Sequence, residues 1–94
     1  MAKTKYSYKY NGIICRNSNN LYKYGLVNHV DAVVACSGTE KGVLKHKNYE
    51  LNRCTNNMNF YLKKNKLENA EYYKQQIEKI KTWHVVELEI IENK

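Results

Sequence analysis

The chain has 94 residues, of which 43% are hydrophobic and 27% charged, and its formal net charge is +7. This length suits one domain, and the composition is that of a globular protein rather than a disordered one. No apolar run reaches the ~18–20 residues of a membrane span, and the charged N-terminus lacks the apolar segment of a secretory signal. We therefore expect a single domain over residues 1–94, cytoplasmic and without a membrane partner.

The N-terminal third predicts a meander of strands over residues 4–36. Asn11-Gly12 lies between two alternating runs and is a strong hairpin signal, because both turn positions tolerate a positive φ. A two-residue loop at this point pairs Tyr8 with Cys15. The same register places three tyrosines on one face of the sheet and the basic residues on the other. The tyrosines are Tyr6, Tyr8 and Tyr10, and the basic residues are Lys5, Lys9 and Arg16.

Two more strands, over 21–27 and 32–36, complete the meander, and a helical hairpin is predicted over residues 39–82. The first helix begins either with Thr39 as N-cap or with Ser37 and Glu40 as a capping box. The hairpin breaks around Asn65, where a second capping-box pattern begins. Its apolar positions are Leu44, Leu51, Cys54, Met58, Tyr61 and Leu62 in the first helix and Ala70, Tyr73, Ile77 and Ile80 in the second.

Residues 84–91 alternate in polarity and predict a final strand. The resulting order, β-β-β-β-α-α-β, predicts an α+β fold. In this fold one twisted antiparallel sheet carries the helical hairpin on one face.

The positive charge is concentrated towards the N-terminus. Residues 1–30 hold five basic residues and no acidic one, whereas residues 67–94 have a net charge of −2. This asymmetry favours an acidic partner, either a DNA or RNA backbone or an acidic protein face, although a purely solubilising surface is the alternative. The predicted contacts with a partner or with phosphate groups are Lys5, Lys9, Arg16 and Lys23 in the sheet and Lys41 and Lys45 in the first helix, on a solvent face shared with Asn48, Asn52, Asn59 and Lys63.

Tyrosines interleaved with lysines are typical of sheets that stack single-stranded bases. Strict alternation, however, puts the aromatic rings and the cations on opposite faces, which favours packing of the tyrosines against the helices. Three other aromatic residues, Tyr22, Tyr24 and Tyr72, are candidate anchors for a partner, because Tyr is enriched at interface hot spots.

Cys36 is the one candidate nucleophile that the sequence offers. It precedes a helix start, where a thiol pKa falls and anions bind. A helix cap beside a buried cysteine explains the same residues, and no general base lies at an interpretable spacing. The three cysteines and three histidines are scattered, which predicts neither disulfides nor a metal site. We expect no catalytic residue, no cofactor and no metal.

Four stretches carry a resemblance: YKYNGIICRNS (8–18), LYKYGLV (21–27), VVACSGT (33–39) and WHVVELE (83–89). With them the chain resembles the small accessory proteins of phages and mobile elements in AT-rich bacteria, in the style of anti-CRISPR proteins. The resemblance lies in size, composition and the order of strands and helices. It implies a non-enzymatic protein that inhibits a host nucleic-acid-targeting defence complex. Such inhibitors are often acidic, and the basic charge of this chain favours an acidic protein face or a guide RNA over mimicry of DNA.

The alternative function is a small basic nucleic-acid-binding protein that contacts phosphates through the lysine-rich face of its sheet. The partner is then DNA or RNA rather than a host protein or ribonucleoprotein complex. The sequence also leaves open that an edge strand pairs between two chains to give a homodimer.

Overall fold

The structure is a computed structural model that describes residues 4–93, and in this range it contains six strands and two helices. All strand pairs are antiparallel, and the helices form a hairpin between the fourth and fifth strands, so the predicted α+β class is confirmed. The elements are β1 (Tyr6–Tyr10), β2 (Ile13–Ser18), β3 (Tyr24–Val27), β4 (Val33–Ser37), α1 (Glu40–Lys63), α2 (Leu67–Lys81), β5 (His84–Glu87) and β6 (Glu89–Glu92).

The strands form two three-stranded sheets rather than one continuous sheet. Sheet A has the strand order β2-β1-β6, and sheet B has the order β4-β3-β5. The final strand expected over 84–91 is divided at Leu88, so that β5 pairs with β3 while β6 pairs with β1. Leu88 is buried, and a Cβ added to Gly25 would lie 2.9 Å from its Cδ2 atom. The space left by this glycine lets one segment pass from sheet B to sheet A.

A β-bulge changes the predicted register of the first hairpin. Tyr10 and Lys9 pair with Ile13 and Ile14 as expected, but Tyr8 pairs with Arg16 rather than with Cys15. Cys15 is the extra residue on β2, and from that point every pair is shifted by one position. Because directly opposed residues in an antiparallel pair share a face, Arg16 joins the tyrosine face and leaves the lysine face. The expected face of Arg16 is therefore wrong.

The tyrosine face is buried at Tyr8, which has no exposed surface. The Tyr8 hydroxyl donates to the carbonyl oxygen of Asn20 and accepts from the backbone N–H of Tyr22 at 2.9 Å. These bonds hold β1 to the loop before β3. The helices pack elsewhere, since α1 contacts β3, β4 and β5. Tyr8 therefore joins sheet A to this loop, and the expectation that it holds the sheet to the helices is wrong.

Capping hydrogen bonds define the start of α1 and the turn between the two helices. The Thr39 side chain accepts a hydrogen bond from the Gly42 N–H at 3.0 Å, which settles the N-cap of α1. At the other end Asn65 adopts a φ of 57°, and Lys66 N–H donates to Tyr61 O at 2.9 Å. This is a Schellman motif, which ends α1. Asn65 thus closes the first helix and does not cap the second, in which Lys66 is the N-cap without a side-chain bond.

The contact seam between the helices follows the predicted face of α2 closely and that of α1 in part. Ala70 and Ile80 of α2 are buried, as are Val43 and Cys54 of α1. Leu44 and Leu62, predicted to face inward, are 41% and 49% exposed. The least exposed side of α1 instead includes the row Val43, Lys47, Glu50, Cys54 and Tyr61, which lies on one side of a helix of 3.6 residues per turn.

The molecule is long, with principal extents of 56 × 25 × 23 Å and a radius of gyration of 16.5 Å. A compact domain of this size has a radius of gyration of about 12 Å. Both ends of the hairpin that join strands lie at the sheets, so the loop around Asn65 lies at the far end and the hairpin projects from the sheets. Among residues 4–93, neither helix combines the length and apolar character needed to cross a membrane.

Candidate functional site

The sheet lysines do not form the positive surface expected from the sequence. β6 lies beside β1 and places Glu89 directly opposite Lys9, while β5 lies beside β3 and places Glu87 opposite Tyr24. In residues 4–39 and 82–93 four basic residues are matched by four acidic ones. The acidic C-terminal strands thus balance the charge of the basic N-terminal meander, because each of them pairs as an edge strand with one strand of the meander.

Arg16 and Tyr22 belong to one stack of side chains. The guanidinium carbon of Arg16 lies 5.4 Å from the centre of the Tyr22 ring, and the rings of Tyr22 and Tyr8 are 5.8 Å apart. Tyr22 is half-buried, with a cation over its ring and a core tyrosine beside it, so the Arg16 contact is a cation–π interaction. This arrangement stabilises the edge of sheet A and leaves little of the Tyr22 ring for a partner.

Lys5 and Lys23 are exposed at the margin of the sheets. The Lys23 ammonium lies 5.6 Å from the centre of the half-buried Tyr24 ring. Lys5 is fixed through its backbone, because its N–H donates to Asn19 Oδ1 at 2.9 Å and its carbonyl oxygen accepts from Asn93. The sheet cations thus have different neighbours: Arg16 lies over Tyr22, Lys23 over Tyr24, and Lys9 is opposite Glu89.

The largest basic surface lies on α1. Seven residues, all Lys or Asn and all exposed, recur every three or four positions on the side opposite the buried Val43 and Cys54. They fall within about 80° of the helix circumference and extend for about 33 Å along its axis. We call this surface the Lys/Asn stripe. Its residues are Lys41, Lys45, Asn48, Asn52, Asn56, Asn59 and Lys63.

The far end of the hairpin extends the stripe with further positive charge. Lys63, Lys64 and Lys66 are exposed around the Schellman turn, and the Lys64 ammonium lies 5.8 Å from the centre of the Phe60 ring. We call these three residues the basic tip. Over residues 40–81 ten basic residues face five acidic ones, so the helical hairpin holds the excess positive charge of the described chain.

Exposed aromatic rings lie beside the Lys/Asn stripe on α1 and on the neighbouring helix α2. Tyr49 and Phe60 of α1 are 62% and 52% exposed, and Tyr72 of α2 is 57% exposed. Tyr72, predicted as an anchor from the sequence, makes an edge-on contact with Tyr73, and Tyr73 stacks on Tyr61 with ring centres 5.7 Å apart. The hairpin therefore offers aromatic rings beside its cations.

Cys36 lies at the edge of sheet B and lacks the character of an activated nucleophile. Burial raises the pKa of its thiol above the ordinary value of 9.0, and the nearby Arg16 guanidinium offsets this only in part. A thiol with a raised pKa stays protonated at neutral pH, whereas a catalytic cysteine needs a lowered one. Among residues 4–93 no group of three His, Cys, Asp or Glu side chains is arranged to hold a metal ion.

The sequence predicts part of the Lys/Asn stripe but not the basic tip. The helical period identified Lys41, Lys45 and Lys63 as solvent-facing, and all three are exposed. The basic tip is not predicted, because the spacing of Asn65 and Glu68 indicates a helix break followed by a capping box rather than a Schellman turn. The signal that could have found it is the run Lys63-Lys64-Asn65-Lys66, in which an asparagine suited to a helix end stands among three cations.

Comparisons with protein-family models, with curated proteins and with solved structures found no significant match for this chain.

Proposed function

We propose that this chain is a non-enzymatic nucleic-acid-binding protein whose helical hairpin lies along a sugar–phosphate backbone. The observation that carries the proposal is the Lys/Asn stripe, which contains no acidic residue over its length and ends in the basic tip. The sheets, where basic and acidic residues are equal in number, make a smaller contribution.

The two residue types of the stripe suit this role for different reasons. Lysine ammonium groups attract phosphates and release condensed counterions, which gives affinity without reading sequence. Asparagine side chains both donate and accept hydrogen bonds, so they can contact phosphate, sugar or base edges. At about 33 Å the stripe matches several consecutive phosphates of one strand. Contact with phosphates along the length of α1 follows.

A second candidate is an inhibitor of a host nucleic-acid-targeting defence complex, the function implied by the resemblance to anti-CRISPR proteins. Tyr49, Phe60 and Tyr72 favour it, because exposed aromatic rings beside cations are the side chains that dominate protein interfaces. In that case the hairpin binds a ribonucleoprotein rather than free nucleic acid. Stoichiometric capture of one such complex from a bacterial lysate, lost in Tyr72→Ala, is the result expected.

The proposed function is tested by titrating labelled single-stranded and duplex oligonucleotides with the protein at several salt concentrations. Each phosphate contact contributes about 0.7 to the slope of log K against log salt for single strands and about 0.9 for duplex DNA. The variant Lys41→Gln with Lys45→Gln is expected to reduce the slope by about 1.4–1.8, because it removes two such contacts. Fluorescence anisotropy of the oligonucleotide gives both affinity and slope.

The matched control removes the same charge from the sheets. Lys9→Gln with Lys23→Gln is expected to change the slope by less than half as much, although the net charge falls equally. If neither oligonucleotide binds at about 50 mM salt, or if the affinity does not change with salt concentration, the proposed function is refuted. Equal losses in the two double variants would refute the assignment of the contact to α1.

A further inference from the structure

One side of the helical hairpin carries a row of large apolar residues that the fold leaves partly uncovered. The row belongs to α1, and its spacing of seven, seven and four positions keeps it within about 40° of the helix circumference. We call it the apolar row, and its residues are Leu44, Leu51, Met58 and Leu62. Leu44 and Leu62 are exposed, and Leu51 and Met58 are half-buried. A seven-residue apolar repeat is typical of a helix that packs lengthwise against other helices, and α2 covers this row only in part.

A groove between α1 and α2 continues the apolar row onto the second helix. It has a volume of about 320 Å³. Met58 and Leu62 line it from α1, and Leu67 and Ala70 line it from α2, where Leu67 is 63% exposed. Filling such a groove with apolar side chains removes apolar surface from water, which is favourable. A helical hairpin with an open apolar groove resembles half of a four-helix bundle, in which a second pair of helices covers this surface.

The charged residues beside the groove alternate in sign along α2. Glu71 and Lys74 line the groove, and Glu78 and Lys81 follow them by seven positions on the same side of the helix. All four side chains are exposed, so the ion pair of Lys81 with Glu78, at 3.4 Å, contributes little by itself. The spacing of three, four and three positions is symmetric, and the signs reverse when the row is followed in the opposite direction. The row is therefore complementary to an antiparallel copy of itself.

We infer that this side of the hairpin binds a second copy of the chain, with the two α2 helices antiparallel. With the two-fold axis at the level of Gln76, Glu71 of each copy lies opposite Lys81 of the other, and Lys74 lies opposite Glu78. A parallel arrangement would place like charges opposite one another. The apolar row is covered in the dimer, whereas the Lys/Asn stripe lies about 100° further round α1 and stays free. Dimer formation goes beyond the proposed function and does not depend on it.

Sedimentation equilibrium of the full chain tests whether the dimer forms. The mass is expected to approach twice that of the monomer between about 10 and 200 µM, as for an interface at the small end of the stable range. Leu62→Ser with Leu67→Ser is expected to raise the dissociation constant at least tenfold, because both side chains line the groove. The matched control, Tyr49→Ser with Phe60→Ser, removes exposed aromatic surface from the opposite side of α1 and is expected to change the constant less than twofold. A natural sequence that stays monomeric at about 200 µM would overturn the inference, and so would equal weakening in the two double variants.

Charge reversals on α2 test the antiparallel orientation. Lys74→Glu alone and Glu78→Lys alone each place like charges opposite one another, and each is expected to raise the dissociation constant at least fivefold. An equimolar mixture of these two variants is expected to form a heterodimer, because position 74 of each chain then lies opposite a position 78 of unlike charge. Circular dichroism of the separate variants establishes that both are folded, as expected for substitutions at exposed positions. A mixture that associates no better than either variant alone would overturn the inference.

Discussion

At the scale of single residues, the hydroxyl group of Tyr8 joins sheet A to the loop before β3. Tyr8 lies in the middle strand of sheet A, with its ring fully buried and its hydroxyl bonded to two backbone groups of the loop before β3. The loop supplies one carbonyl oxygen, from Asn20, and one N–H, from Tyr22. Without that hydroxyl, two backbone groups in a partly buried site would lack their partner, which costs more than the hydrogen bonds themselves contribute.

Tyr8→Phe is expected to lower the free energy of unfolding by about 1–2 kcal/mol, because it leaves these two backbone groups unpaired while keeping the ring. Urea denaturation followed by circular dichroism measures the change. Tyr49→Phe is the matched control, since Tyr49 is 62% exposed and the same substitution there is expected to stay within about 0.5 kcal/mol. Equal effects in the two variants would contradict the assigned role of Tyr8.

At the scale of elements, the turn between the helices decides where the basic tip lies. Asn65 holds a left-handed φ of 57°, and the N–H groups of Asn65 and Lys66 satisfy the last carbonyl oxygens of α1. Asparagine reaches this region more readily than most residues, and glycine does so without steric cost. The turn therefore ends α1 at a fixed residue and holds Lys63, Lys64 and Lys66 around one point.

Two replacements of Asn65 are expected to have different effects on the free energy of unfolding. Asn65→Ala is expected to lower the free energy of unfolding by about 1 kcal/mol, because its Cβ disfavours a positive φ and its side chain offers no compensating bond. Asn65→Gly is expected to be neutral or slightly stabilising. Thermal unfolding distinguishes them, and identical midpoints would show that the left-handed turn is not maintained in solution.

At the scale of the whole molecule, the two sheets meet at their edges. The Asp31 carboxylate accepts from the Tyr10 hydroxyl at 2.7 Å and from Asn11 Nδ2 at 3.0 Å, which joins the β1–β2 turn to the β3–β4 turn. Cys15 of β2 lies near Cys36 of β4. The pKa of the Cys15 thiol is raised first by burial and then by the neighbouring Cys36, and burial raises the pKa of Cys36 as well. Both thiols are therefore neutral at neutral pH, with Cys15 on the exposed strand β2 and Cys36 half-buried in β4.

Stability is expected to fall at alkaline pH through these thiols. A raised pKa in the folded state means that the neutral form is favoured by folding. The contribution is complete below the ordinary value of 9.0 and is lost as pH rises through the raised folded-state pKa. The variant Cys15→Ala with Cys36→Ala is expected to lose less stability than the natural sequence above pH 9. Urea midpoints measured in reductant at a series of pH values from neutral to above this pKa give the comparison, and parallel curves would contradict it.

The sequence by itself determined the local elements and several residues of the candidate site. Periodicity and turn residues decide these locally: the hairpin at Asn11-Gly12 and the inward face of α2 depend only on neighbouring residues, whereas the N-cap of α1 stays open in the sequence between Thr39 and a capping box of Ser37 and Glu40. For the same reason the exposure of Lys41, Lys45 and Tyr72 was predictable, because a helix face is set by the 3.6-residue period.

Only the tertiary structure decided how the charges and the two helix faces combine. The division of residues 84–92 at Leu88 places Glu87 and Glu89 on edge strands beside β3 and β1, and no local pattern predicts a pairing across more than sixty residues. The bulge at Cys15 moves Arg16 to the other face, since a shift of one residue reverses the side of every later side chain. With the charges of the sheets balanced, the positive charge remains on the helical hairpin, where Leu62 and Leu67 line a groove that only the packing of α1 against α2 creates.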